Sequence, residues 1–108
     1  MHITEAQKLV KDFAVRNGWS DEPNIDKFDH CHEELVEMSS LLRYKNVDEM
    51  KRTLEEKKEL FQDGIGDLLF AVFRLANQLG IDAERAFKAS SDVALRKYKP
   101  GDSEQKKQ

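Results

Sequence analysis

Five carboxylates in two short clusters are the residues of this 108-residue chain best suited to chemistry: Glu33, Glu34 and Glu37, then Asp63 and Asp67. Side chains at i, i+3 and i+4 share a helix face, so each cluster can turn its oxygens in one direction. Two such faces packed together make an all-oxygen pocket. Hard divalent cations such as Mg²⁺ take that donor set and usually keep a phosphate as a further partner. The first cluster lies among Leu35, Val36 and Met38, and no Lys or Arg stands at i+4 to neutralise it. Asp67 immediately precedes an apolar turn, where a carboxylate is costly to bury unless a cation or a donor meets it. The run Glu55-Glu56-Lys57-Lys58-Glu59 is different, since its mixed signs at helical spacing describe a solvated face. His30, Cys31 and His32 invite a Zn²⁺ reading, but residues at i and i+2 on a helix point apart. His2, near the terminus, is uninformative.

Composition frames these clusters. Charged residues make up 36% of the chain and aromatics 8%, and the formal net charge is −3, which argues against general affinity for nucleic acid or anionic lipid. An acidic protein that binds a polyanion needs a local device, and a metal ion is one. The single Cys31 excludes an internal disulfide, and the charged start Met1-His2-Ile3-Thr4-Glu5 lacks an apolar signal region, so a cytoplasmic setting is expected. No apolar run approaches the roughly 18 residues of a membrane span.

The elements that must position the clusters are helical throughout. Thr4 with Gln7 has capping-box spacing, and Ala6, Leu9, Val10, Phe13 and Ala14 recur at helical intervals until Gly18. Trp19 to Asn24 reads as a loop. A second helix is expected from about Asp26 to Arg43, with Phe28, Cys31, Leu35, Met38 and Leu42 on its apolar side. After a break at Tyr44-Lys45-Asn46 the longest helix carries Met50, Leu54, Phe61, Ile65, Leu68, Val72, Ala76 and Leu79 and ends at Gly80. Ile81 and Asp82 read as staple and N-cap of a fourth helix, stopped by Pro100-Gly101. The expectation is one all-α domain over 1–101, a four-helix bundle-like subunit, with a polar tail over 102–108. Leu68 to Phe73 is apolar around the whole helix, more than so short a chain can cover, so these residues are expected in the interior, part of them against a second subunit.

Trp19, the loop with Pro23, Glu33-Glu34-x-x-Glu37, Gly66-Asp67-Leu68-Leu69-Phe70 and Leu79-Gly80-Ile81-Asp82 follow one another in an order that resembles the MazG-like all-α nucleoside triphosphate pyrophosphohydrolases. The resemblance runs from about Trp19 to Tyr98. It implies the all-α NTP pyrophosphohydrolase fold, an oligomer (dimer or tetramer), and Mg²⁺, with Mn²⁺ as the alternative. The implied reaction is water attack at the α-phosphoryl group of a nucleoside triphosphate, releasing the monophosphate and pyrophosphate, with clearing of non-standard nucleotides as its use. By resemblance Glu34, Glu37 and Asp67 are metal ligands with Asp63 as a fourth, and Glu33 is a further ligand or the base that orients the water. Trp19 stands where a base could stack or a core be plugged. Lys27, Arg96, Lys97 and Lys99 stand where phosphates could be met, although basic residues late in a helix also suit its dipole.

One position departs from the family pattern. Three residues before Asp67 the pattern has Glu and this chain has Gly64. Two readings follow: a rearranged site that uses Asp63, or a weakened site in a nucleotide- or metal-binding relative. Gly66 matches the family and reads as the glycine that lets helices approach, whereas Gly64 has no reason in the pattern. A third reading is a structural oligomerisation module whose acidic residues are a solvated face.

Overall fold

The structure is a computed structural model that describes residues 1–98. Lys99, the stop at Pro100-Gly101 and the tail over 102–108 lie outside the described residues. Five helices follow in order: α1 (Ile3–Arg16), α2 (Asp26–Ser40), α3 (Val47–Glu56), α4 (Lys58–Leu79) and α5 (Ala83–Lys97).

The all-α class is as expected; the four-helix count is not. The long third helix is divided at Lys57, whose backbone (φ −114°, ψ 30°) leaves the helical region. The stripe Met50, Leu54, Phe61, Ile65 has its intervening place at positions 57 and 58, and both are Lys. An unbroken helix from Val47 to Leu79 would be about 50 Å long. Helices are held chiefly by the burial of an apolar face, and this one has none to bury at that point.

Local signals explain most of the other ends. Gly18 (φ 70°) and Gly80 (φ 67°) adopt the left-handed conformation, and the next residue's N–H reaches back five positions, Trp19 to Ala14 O and Ile81 to Ala76 O, both at 2.9 Å. Asp82 caps α5 by accepting from the Arg85 N–H at 3.1 Å. Asn46 and Glu49 cap α3 reciprocally, at 2.8 and 2.9 Å. The expected Thr4–Gln7 capping box is absent. His2 is the N-cap residue, its N–H donating to Glu5. Gln7 instead donates to Asn77 Oδ1 (2.9 Å) and Ile81 O (2.8 Å) and accepts from the Ala83 N–H (2.8 Å), clamping α1 to the α4–α5 turn. The second helix ends at Ser40, short of Arg43, and the chain turns through 41–44.

Helix α4 is the axis against which α1, α2 and α3 pack, while α5 packs on α1. Ser20 and Glu22 meet Arg74 and Gln78, and Met38 meets Gly64. Advancing along α2 thus means retreating along α4, and the two are antiparallel. The core is small: among the described residues Val10, Ala14, Ala71 and Ala76 are the buried apolar ones, and no large side chain is fully enclosed. Phe13 joins the α1 and α4 sides, with Trp19 and Phe70 edge-on to it at 5.4 and 5.9 Å. Within one chain Leu68 to Phe73 is not wholly covered, Leu69 being 52% and Val72 40% exposed, which is the part of the expectation that calls for a second subunit. No helix among the described residues is long and apolar enough to cross a membrane.

Candidate functional site

The antiparallel α2–α4 pair sorts its residues by rotation. Lys27, Cys31, Glu34, Met38 and Leu41 recur at helical spacing and are partly covered, so they form the α2 stripe turned inward. Opposite them, Leu60, Asp63, Gly64 and Asp67 of α4 share a cleft of about 200 Å³ with Glu34, Glu37, Met38 and Leu41. All four of the carboxylates expected as metal ligands therefore line one cleft, two from each helix. Glu34 is the most enclosed, its side chain 16% exposed.

Asp67 lies exposed at the rim of the cleft, so the cost of burying a carboxylate beside an apolar turn does not arise. Glu33 stands apart from the four: it lies in a neighbouring hollow with Asp29, His32, Val36 and Glu37, and Glu37 borders both. Position 33 is one residue, about 100°, around α2 from the inward-facing Glu34.

Glu34 has a partner that spacing could have revealed. His30 Nε2 stands 3.2 Å from Glu34 Oε2, one helical turn earlier. The partner is a His four residues before the Glu rather than a Lys or Arg four residues after it. Burial pushes the neighbouring Cys31 thiol above its ordinary range.

Of the residues proposed to meet the base and phosphates, Trp19, Lys27, Arg96 and Lys97 are not among those lining the cleft. The Arg74 guanidinium lies 5.1 Å over the Trp19 ring and Phe13 meets the ring edge, so Trp19 is engaged seven residues along α4 from Asp67, about 10 Å away along the axis. Arg74 itself is buried, with Nη1 3.3 Å from Asp21 Oδ1 and Nη2 donating to Ser20 O, and it anchors the loop before α2. Lys27 shares the inward stripe but pairs with Asp26 at 2.9 Å, which holds that carboxyl below its usual range. Arg96 and Lys97 close α5, and Lys97 lies over the Tyr98 ring.

The two glycines exchange roles. Gly66 has nothing within 4 Å of where a Cβ would stand, so within the chain it serves no close helix approach. At Gly64 a Cβ would stand 2.7 Å from both Cγ and Sδ of Met38. The close approach between the helices is therefore at Gly64.

In donor type the cleft fits a hard divalent cation: its polar lining is carboxylate, with no Lys or Arg among the residues named. In arrangement it is open. Among the described residues no three His, Cys, Asp or Glu side chains stand close enough together to hold a metal ion. Carboxylates without a counter-charge repel one another, and a cation would have to draw these inward.

No family model matches the chain, and no solved structure matches it. Among curated proteins the chain is similar to the uncharacterized protein YvdC of Bacillus subtilis (strain 168), 22% identical over 103 residues, covering 91% of this chain and 97% of that protein. That name states no activity, so the likeness bears on extent rather than on chemistry.

Proposed function

We propose that the chain is a Mg²⁺-dependent nucleotide pyrophosphohydrolase that cleaves a nucleoside triphosphate between the α and β phosphates. The observation that carries this reading is the cleft in which Glu34, Glu37, Asp63 and Asp67 meet from two antiparallel helices. The order of motifs that resembles the MazG-like enzymes supports it. In this reading those four residues hold the metal. Bound Mg²⁺ supplies positive charge at the non-bridging phosphate oxygens and the departing pyrophosphate. His30 positions Glu34 from one turn away. Glu33, bordering the mouth through its neighbour Glu37, is the carboxylate left to orient water. Four carboxylates alone would repel a triphosphate, so substrate binding in this reading depends on the metal.

The reading also includes a homo-oligomer. A standard interface takes about 800 Å² from each partner. Phe28 and Leu35 on α2 and Ile65, Leu69 and Val72 on α4 are exposed. On both helices these lie about 100° or more beyond the inward positions in the same rotational sense. In an antiparallel pair that turns both sets to one side, away from Glu37 and Asp63.

One observation favours the impaired-relative reading: Met38 stands where a position-64 side chain would be, and the cleft carboxylates do not converge. Pyrophosphate release from a panel of nucleoside triphosphates, with and without Mg²⁺, separates the two. Release that requires Mg²⁺ supports hydrolysis. Nucleotide or metal binding without release supports the regulatory relative, and neither leaves the oligomerisation module.

A further inference from the structure

Gly64 is the residue that leaves the acidic cleft one Glu short of the family pattern, and its neighbour across the helix pair is Met38. Both sit on inward positions. Asp63 precedes Gly64 by about 100° of helix rotation, which brings it toward the mouth of the cleft rather than its floor, and Asp67 faces the same cleft. The contact is tight enough to be specific. A Cβ at 64 would stand 2.7 Å from Met38 Cγ and Sδ, well inside van der Waals contact, so even Ala would force the thioether to move. Glycine in the interior of a 22-residue helix is otherwise unfavourable. Glycine's presence here has a packing reason: it makes the hole that Met38, an unbranched and adaptable side chain, fills.

We propose that Met38 and Gly64 act as one compensating pair that decides which carboxylates α4 offers to the cleft: the thioether seated over Gly64 closes the floor and leaves Asp63 and Asp67 as the α4 oxygens. The cation half of this statement rests on the metal-binding reading above; the packing half does not. Met38 is thus a positioning residue, acting on the cleft through position 64. A Glu placed at 64 alone cannot restore the family arrangement, because the space is taken, whereas a Glu at 64 with Met38 shortened can.

The test has two arms on the full chain. In the first, without divalent cations, Gly64→Ala is compared in the wild-type and Met38→Ala backgrounds by thermal melting. Relief of the glycine penalty is expected to raise the melting temperature by roughly 5 °C only where Met38 is shortened. An equal gain in both backgrounds overturns the pair. In the second, Mn²⁺ binding is titrated. Asp63→Asn is expected to weaken binding by about 10-fold or more in the wild type and by much less in M38A/G64E, since loss of a group that merely supports a ligand already costs about 10-fold or more. Tighter Mn²⁺ binding by Gly64→Glu alone, at unchanged melting temperature, overturns the proposal. If no variant binds Mn²⁺, the metal reading of the cleft and the cation half fall together, and the first arm still decides whether the pair exists.

Discussion

Replacing Leu69 tests whether the exposed side of the α2–α4 pair joins two copies of the chain. Ile65, Leu69 and Val72 are 53%, 52% and 40% exposed along one side of α4. Fully burying a side chain of this kind contributes about 1.5–3 kcal/mol, so covering the open half of Leu69 contributes about 1 kcal/mol in each copy. A two-fold interface uses the same patch twice, which doubles the effect to about 2 kcal/mol per dimer. Leu69→Ala is therefore expected to weaken association by about 30-fold. Leu69→Asp, which sets a charge in the same contact, should leave no stable dimer. Sedimentation velocity over a micromolar concentration series reads the equilibrium, with circular dichroism confirming that each variant remains helical. A wild-type chain that sediments as a monomer throughout refutes the argument from exposed area. A Leu69→Ala variant that associates as tightly as the wild type refutes the choice of face.

Glu37→Ala should abolish Mg²⁺-dependent pyrophosphate release while leaving helicity intact, since Glu37 borders both the cleft and the hollow that holds Glu33; full activity would remove the cleft from the mechanism. Added Mg²⁺ should raise the melting temperature by mass action, by an amount equivalent to about 2.7 kcal/mol at a hundred times its Kd, and a flat response to millimolar Mg²⁺ would favour a solvated acidic face. Glu84→Gln should lower the melting temperature at neutral pH. The Thr4 backbone N–H and hydroxyl donate to Glu84 at 2.9 and 3.0 Å and hold its carboxyl below the ordinary range. A lowered carboxyl contributes stability above its ordinary pKa and loses it as the pH falls through the folded value, so the difference between wild type and variant should close on acidification. A gap that persists in acid would show that the contact does not depend on the charge.

What the sequence determined by itself was set by neighbours a few residues apart. Helix ends at Gly18 and Gly80 and the cap at Asp82 were legible because a left-handed turn or a side-chain cap depends on its own few residues. Glu34 and Glu37, like Asp63 and Asp67, were legible as shared faces because helical spacing alone sets them side by side. Only the tertiary structure decided that the two faces meet in one cleft, because that depends on α2 lying antiparallel to α4. The division at Lys57 was also beyond local reading. No Pro or Gly marks it, and the helix parts where burial against other elements runs out. The roles of Gly64 and Gly66 were exchanged for a related reason: glycine's local cost is the same at both positions, and what each admits depends on a side chain 26 residues away in one case and on open space in the other. Trp19 carried the right chemistry for a substrate, yet Arg74 of α4 engages it in the fold, and spacing along a chain does not reveal a partner that comes from another helix; Lys27 pairs with its own neighbour Asp26.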